Sequence, residues 1–132
     1  MKRLITLSVL AGSTCLGLAA MTSGAAAAGP TCDGGVIQLG GVSSVTGPVV
    51  FAEVPDAAKA TFDQINANGG INGCKIEYTI ADDKGDPQVA AQAARDLIDN
   101  KGVVAMVGAG SLLECAVNAG TYADNNVMAV QG

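Results

Sequence analysis

Histidine and tryptophan are absent from this 132-residue sequence, and bases are scarce: seven lysines and arginines face twelve aspartates and glutamates, for a net charge of −5. Without histidine the chain lacks the commonest general base and the commonest zinc ligand, which argues against an enzyme. The shortage of positive charge argues against a nucleic-acid partner or an anionic membrane surface. No P-loop lysine is present, and the acidic stretch at Asp82, Asp83 and Asp86 lacks the glycine and distal glutamate of a calcium loop.

What is present begins with a leader. Met1-Lys2-Arg3 is positive, Leu4 to Met21 is apolar and uncharged, and Thr22 to Ala28 ends in small residues offering an A-x-A cleavage site. Residues 1–28 read as a secretory signal peptide cut after Ala27 or Ala28. A membrane anchor is the competing reading, because the run approaches the ~20 residues that span a bilayer; its glycine, serine and threonine content and its alanine-rich end favour cleavage. Cys15 and Cys32 lack the leucine-plus-small-residue pattern that precedes a lipidated cysteine. Cleavage leaves residues 29–132, one small domain of 104 residues with a net charge of −7. Export permits disulfides, and three cysteines stay behind: Cys32, Cys74 and Cys115. Cys32 lies just before the first predicted strand and Cys74 immediately before the second. Adjacent parallel strands start at the same sheet edge, so Cys32–Cys74 is the expected bridge and Cys115 is left unpaired.

Val36 to Val42 is a nearly continuous apolar run, as in a parallel strand covered on both faces. Val54, Ala58, Phe62 and Ile65 recur at helical spacing. Gly69, Gly70 and Gly73 then stop that helix and reverse the chain. Lys75 to Ala81 alternates as a strand, and Asp86-Pro87 is an N-cap followed by a first-turn proline. Val89, Ala93 and Leu97 form the stripe of a second helix, with Lys101 in its last turn and Gly102 past its end. Val103 to Val107 reads as a third strand. Ser111 with Glu114 forms a capping box for a third helix, and Val127 to Val130 as a fourth strand. The order β-α-β-α-β-α-β, with every crossover helical, gives the α/β class: an open parallel sheet with flanking helices.

In such sheets the site lies at the carboxyl ends of the strands. Here those loops are Ser43 to Pro48, Asp82 to Asp86 and Gly108 to Ser111. Amides of Ser111, Leu112 and Leu113 at a helix mouth suit a carboxylate or phosphate, although Ser111 is equally explained as a cap. A dinucleotide fingerprint fits poorly, since Leu113 occupies the third glycine position. Ser43, Ser44 and Thr46 offer hydroxyls that bind a ligand or simply end the strand, and no base is visible to activate them. The acidic cluster reads as scaffold, with Asp86 as N-cap and Asp82 or Asp83 holding its loop.

Thr46-Gly47-Pro48, I-N-A-N-G-G-I-N-G over Ile65–Gly73, D-D-K-G-D-P-Q-V-A over Asp82–Ala90 and V-G-A-G-S over Val107–Ser111 occur in that order. Together they resemble the amino-terminal lobe of type I, leucine/isoleucine/valine-type periplasmic binding proteins of branched-chain amino-acid ABC transporters. The resemblance covers essentially all of residues 29–132. It implies two α/β lobes closing on a ligand without chemistry, and no cofactor. The expected ligand is a small carboxylate-bearing molecule such as a branched-chain amino acid, the expected partner a membrane-bound ABC permease, and the expected location the periplasm or cell surface. Ser43, Thr46, Gly110, Ser111 and Leu112 are the expected ligand-binding residues. Leu112 stands where the family often has serine or threonine, and Ala52 near a position that often carries an aromatic contact; both departures admit a different small organic molecule. Family members are about three times longer, so the sequence is expected to be a first lobe only. The alternative function on the same fold is the ligand-binding domain of an extracellular sensor or receptor.

Overall fold

A computed structural model describes residues 35–131. The predicted signal peptide and Cys32 lie outside the described residues. The elements are β1 (Val36–Ser43), α1 (Glu53–Ala67), β2 (Lys75–Asp82), α2 (Pro87–Asp99), β3 (Ala105–Ala109), α3 (Glu114–Asp124) and β4 (Met128–Gln131). The four strands form one sheet in the order β2-β1-β3-β4, and every pair is parallel. None of the helices among the described residues is long and apolar enough to cross a membrane.

Alternation along β1 decides what lies on each face. Val42 faces α2 and α3, in a core completed by Ala90, Ala94, Leu97, Val103, Met106 and Tyr122. Gly40 shares that face; a Cβ there would lie 3.0 Å from Val103 and 3.3 Å from Leu97. Gly41 faces α1, and its missing side chain has a specific use. The phenol of Tyr78 reaches from β2 across β1 and donates to the Val107 carbonyl at 2.8 Å. A Cβ on Gly41 would sit 2.9 Å from that hydroxyl. Phe62 of α1 packs edge-on against the Tyr78 ring, with centroids 5.0 Å apart. Burial, reinforced by the negative charge of Glu114, pushes the Tyr78 hydroxyl up to about 12.

The turn between α1 and β2 forms as its glycines and asparagine demand. Ile71 and Cys74 exchange two backbone hydrogen bonds of 2.9 Å around Asn72 and Gly73, at φ 51° and 83°. Both residues are left-handed, as a two-residue I′ turn requires. Gly70 admits no substitute, because a Cβ would fall 1.9 Å from the Cys74 carbonyl oxygen. Cys74 is buried at the amino end of β2. Asn66 then covers the outer edge of β2, accepting from the Ile76 amide at 2.7 Å and donating to its carbonyl at 2.8 Å.

Three local expectations are corrected. The third strand begins at Ala105 rather than Val103. Val103 is already turned into the core, and Val104, 62% exposed, donates its amide to Gln38 on the approach to the strand. Lys101 lies beyond α2, whose C-cap is Asn100, so it is not in the last turn. The capping box is half formed. Ser111 Oγ accepts from the amides of Leu113 and Glu114 at 3.1 and 3.2 Å. The Glu114 carboxylate instead turns inward to Tyr122, 2.8 Å away.

Candidate functional site

The sheet order places a topological switch between β1 and β3: the chain leaves β1 toward β2 and returns on the other side as β3. Loops after two such strands diverge and open a crevice at their carboxyl ends. Here Ser43 and Ser44 approach Gly110 and Ser111. The Gly110 amide donates to Ser43 Oγ at 2.9 Å, and the Ser44 amide donates to the Gly110 carbonyl at 2.9 Å.

Asp83 ties this crevice to the third loop. Its carboxylate is fully buried. Oδ1 accepts from the Ser44 hydroxyl at 2.7 Å and the Gly85 amide at 2.8 Å, while Oδ2 accepts from the Ser111 hydroxyl. One residue after β2 thus holds the loops after β1 and β3 in place. Asp82 does the same at the rim. Its Oδ1 accepts from the amides of Val45, Thr46 and Lys84 at 3.0 to 3.1 Å, and its Oδ2 from the Thr46 hydroxyl. Burial pushes the Asp82 carboxyl up, but the Thr46 hydroxyl and the three amides outweigh it and hold the group below its ordinary range. Asp86 accepts from the Gln88 and Val89 amides at 2.7 and 3.0 Å, ahead of Pro87, as the N-cap of α2.

The five residues expected from the sequence therefore occupy different situations. Ser43 is fully buried, with its oxygen turned to the Gly110 amide. Thr46 is exposed and bound to Asp82. Gly110 packs so closely on Phe51 that a Cβ would lie 2.9 Å from both its Cβ and its carbonyl oxygen. Ser111 donates its hydroxyl hydrogen to Asp83 and accepts two amides, so what it turns outward is its backbone. Leu112 is 73% exposed. Two hollows meet at Phe51 and Leu112. One of about 140 Å³ is lined by Ser44, Pro48, Val49, Phe51, Gly85, Leu112 and Leu113. The other, of about 210 Å³, adds Val54, Gly110, Ser111, Cys115 and Gln131. Cys115 is exposed and carries a free thiol.

The sequence profile described as Periplasmic binding protein matches residues 36–132. The chain belongs to the periplasmic binding protein family. A leucine-, isoleucine-, valine-, threonine- and alanine-binding protein of Pseudomonas aeruginosa is 35% identical over 112 residues, covering 82% of this chain and 26% of the relative. The Leu/Ile/Val-binding protein BraC3 of Rhizobium johnstonii is 35% identical over 74 residues, 54% of this chain and 20% of the relative. Among solved structures, a type 1 periplasmic binding protein from Bordetella pertussis superposes with a TM-score of 0.62 at 32% identity, covering 71% of this chain and 26% of that one. The branched-chain amino-acid transporter substrate-binding protein LivJ of Streptococcus pneumoniae, solved with isoleucine, gives 0.66 at 26% identity, covering 73% and 28%. The chain spans about a fifth to a quarter of the length of these two curated relatives.

Phe51 escapes the sequence reading altogether, which offers Ser44 only as a hydroxyl that binds a ligand or ends the strand, and Asp82 or Asp83 only as holding its own loop. Ser44 and Phe51 line the hollows, and Asp83 positions both Ser44 and Ser111. The one available signal was the adjacent pair Asp82-Asp83 at a strand end. Alternation aims the two carboxylates in opposite directions, one toward the rim and one toward the interior.

Proposed function

We propose that this periplasmic binding protein acts as the extracytoplasmic solute-binding component of an ABC importer, for a small carboxylate-bearing solute such as a branched-chain amino acid. The observation that carries the proposal is the mouth of α3. There the Ser111 and Leu112 amides, unoccupied by any hydrogen bond among the described residues, open beside the apolar surface of Phe51, Val49 and Leu112. Free amides at a helix amino terminus suit a carboxylate, and the apolar surface suits an aliphatic side chain. The ligands for which these relatives are named, leucine, isoleucine and valine, have this chemistry. Hollows of about 140 and 210 Å³ fall below the ~300–1,000 Å³ of a complete small-molecule site. The proposed role of residues 29–132 is accordingly one wall of a cleft, with the opposing lobe supplied by a longer protein and an ABC permease as partner.

The role is binding without turnover, since the Ser111 hydroxyl is fully committed to the loop scaffold. Export through the leader at residues 1–28 places it in the periplasm or at the cell surface. Bridging of Cys74 by Cys32 is supported by the register. Val36 lies opposite Lys75, which puts Cys74 level with Gly35, three residues after Cys32. Thiol titration of folded, oxidised residues 29–132 should find one reactive thiol, Cys115; finding Cys32 and Cys74 reactive would remove the bridge.

The binding site is tested by amide NMR of the isotopically labelled chain. Leucine, isoleucine or valine at about millimolar concentration (the weak end of the affinity scale) should displace the Ser111 and Leu112 resonances, with glucose as a silent control. Shifts confined to other regions, or none, would overturn the assignment. Micromolar binding by calorimetry would show that this lobe alone makes a complete site.

A further inference from the structure

On α3, Glu114, Asn118 and Tyr122 fall four residues apart on one inward face, and all three are buried. The Tyr122 hydroxyl donates to Glu114 Oε1 at 2.8 Å, and Asn118 Nδ2 donates to the Ala90 carbonyl at 3.3 Å. That leaves Glu114 Oε2 and Asn118 Oδ1, each buried and each without a hydrogen-bond partner. Both are acceptors. An ionised glutamate offers the Asn118 oxygen no hydrogen, and an unpaired buried acceptor is costly in each case. A single proton resolves both, because protonation turns Oε2 into a donor for an oxygen one helical turn away.

Among the described residues no basic side chain offsets a buried negative charge at this position. The sole ion pair among the described residues is Lys59–Asp63 on α1, and Lys75, Lys84, Arg95 and Lys101 are all exposed. From the loop after β2, Asp83 adds negative charge toward Glu114, and from β2 Tyr78 is the titratable group that senses it. On β4 the Gln131 side chain approaches Glu114 without closing a hydrogen bond on Oε2. From α2, Ala90 faces the cluster, while Arg95, Asp96 and Asp99 are exposed. Cys115, beside Glu114 on α3, carries an exposed thiol.

We propose that Glu114 is a neutral carboxylic acid in the folded protein and donates its proton from Oε2 to Asn118 Oδ1, whose amide in turn ties α3 to α2 through the Ala90 carbonyl. The balance is one proton taken from solvent when the chain folds at neutral pH. Burial, the largest influence, raises the Glu114 titration. The hydrogen bond from Tyr122 and the approach of the Gln131 amide oppose it, and the charge of Asp83 adds to it. A group raised in the folded state stabilises below its unfolded titration, and that stability is lost as pH rises through the folded one.

The test uses the whole chain and two measurements. Carboxyl carbon NMR or infrared spectroscopy at pH 7 should show one protonated carboxylic acid that is absent from Glu114→Gln; a spectrum with every carboxylate ionised would overturn the proposal. Denaturant unfolding across pH 5 to 9 should show the folding constant of the native chain falling about tenfold per pH unit relative to E114Q, until Glu114 titrates in the folded state. Parallel profiles for the two proteins would also overturn it. Asn118→Ala should lower the Glu114 titration midpoint read by NMR. An unmoved midpoint would refute Asn118 as the proton's acceptor. None of these readings involves a ligand, so their failure is separable from failure of the proposed solute-binding role.

Discussion

Replacing Asp83 by alanine would cut the one side chain that joins all three loops of the candidate site. Its carboxylate is fully buried and accepts from Ser44, Gly85 and Ser111. The three donors would not suffer equally. Ser44 is 4% exposed, so its hydroxyl would be stranded away from water, a loss of about 1–3 kcal/mol. Gly85 is exposed and Ser111 half-buried; both regain water, and each gives up only the net ~0.5–1.5 kcal/mol of an ordinary hydrogen bond. The total for Asp83→Ala is about 2–6 kcal/mol. That is a large share of the ~5–15 kcal/mol of a typical domain. Asp83→Asn keeps the volume and one acceptor oxygen but turns an NH₂ toward a donor, and should lose about half as much. Urea unfolding followed by circular dichroism measures both, with an unchanged slope confirming that the native fold is being compared. A Ser44→Ala/Asp83→Ala cycle should return a coupling of about 0.5–3 kcal/mol. An alanine variant within about 0.5 kcal/mol of the native chain, the range of an inconsequential surface change, would refute the view that Asp83 holds the loops together.

Three further outcomes follow from geometry already described. Gly41→Ala would set a methyl 2.9 Å from the Tyr78 hydroxyl and 3.0 Å from the Val107 carbonyl, and should lower stability by about 1–3 kcal/mol in thermal unfolding. The same substitution in a Tyr78→Phe background should cost distinctly less. Asp86→Ala removes the N-cap of α2 and should cost about 1 kcal/mol by the same measurement, with Asp86→Ser recovering most of it. Asp82 is held below its ordinary range by Thr46 and three amides, so its contribution is present above the unfolded carboxylate titration and fades as pH falls through the folded one. Thr46→Val should therefore lower stability by a constant amount at neutral and alkaline pH and shallow the acid limb, the two profiles converging at low pH; an unchanged acid limb would refute the assignment.

The element order was legible because each boundary carries a local chemical cause. Asp86-Pro87 and Asn72-Gly73 act on backbone within a few residues of themselves, and the apolar runs announce a sheet covered on both faces. Val103-Val104 misled for the same reason: two β-branched residues look like a strand start wherever they stand. Only the packing of Leu97 and Met106 against β1 shows that Val103 turns into the core before pairing begins. The site was less legible. The loops were found, but the orientation of their side chains depends on partners 28 to 67 residues away, such as Ser111 with Asp83 and Ser43 with Gly110. A serine at a strand end reads alike whether its oxygen faces solvent or a buried amide. Glu114 shows the limit most clearly, since helix-capping spacing predicted an outward-reaching carboxylate and the Tyr122 hydroxyl drew it inside.

Strand β4, by contrast, leaves something open. It forms one edge of the described sheet, with Met128 69% and Val130 50% exposed. Unlike β2, whose outer backbone is met by Asn66, no side-chain hydrogen bond meets the outer edge of β4 among the described residues. Unsatisfied amides flanked by apolar side chains template the addition of another strand. Residues 29–132 handled alone should therefore associate edge to edge as their concentration rises, and a lysine in place of Met128 or Val130 would be the simplest way to keep them apart.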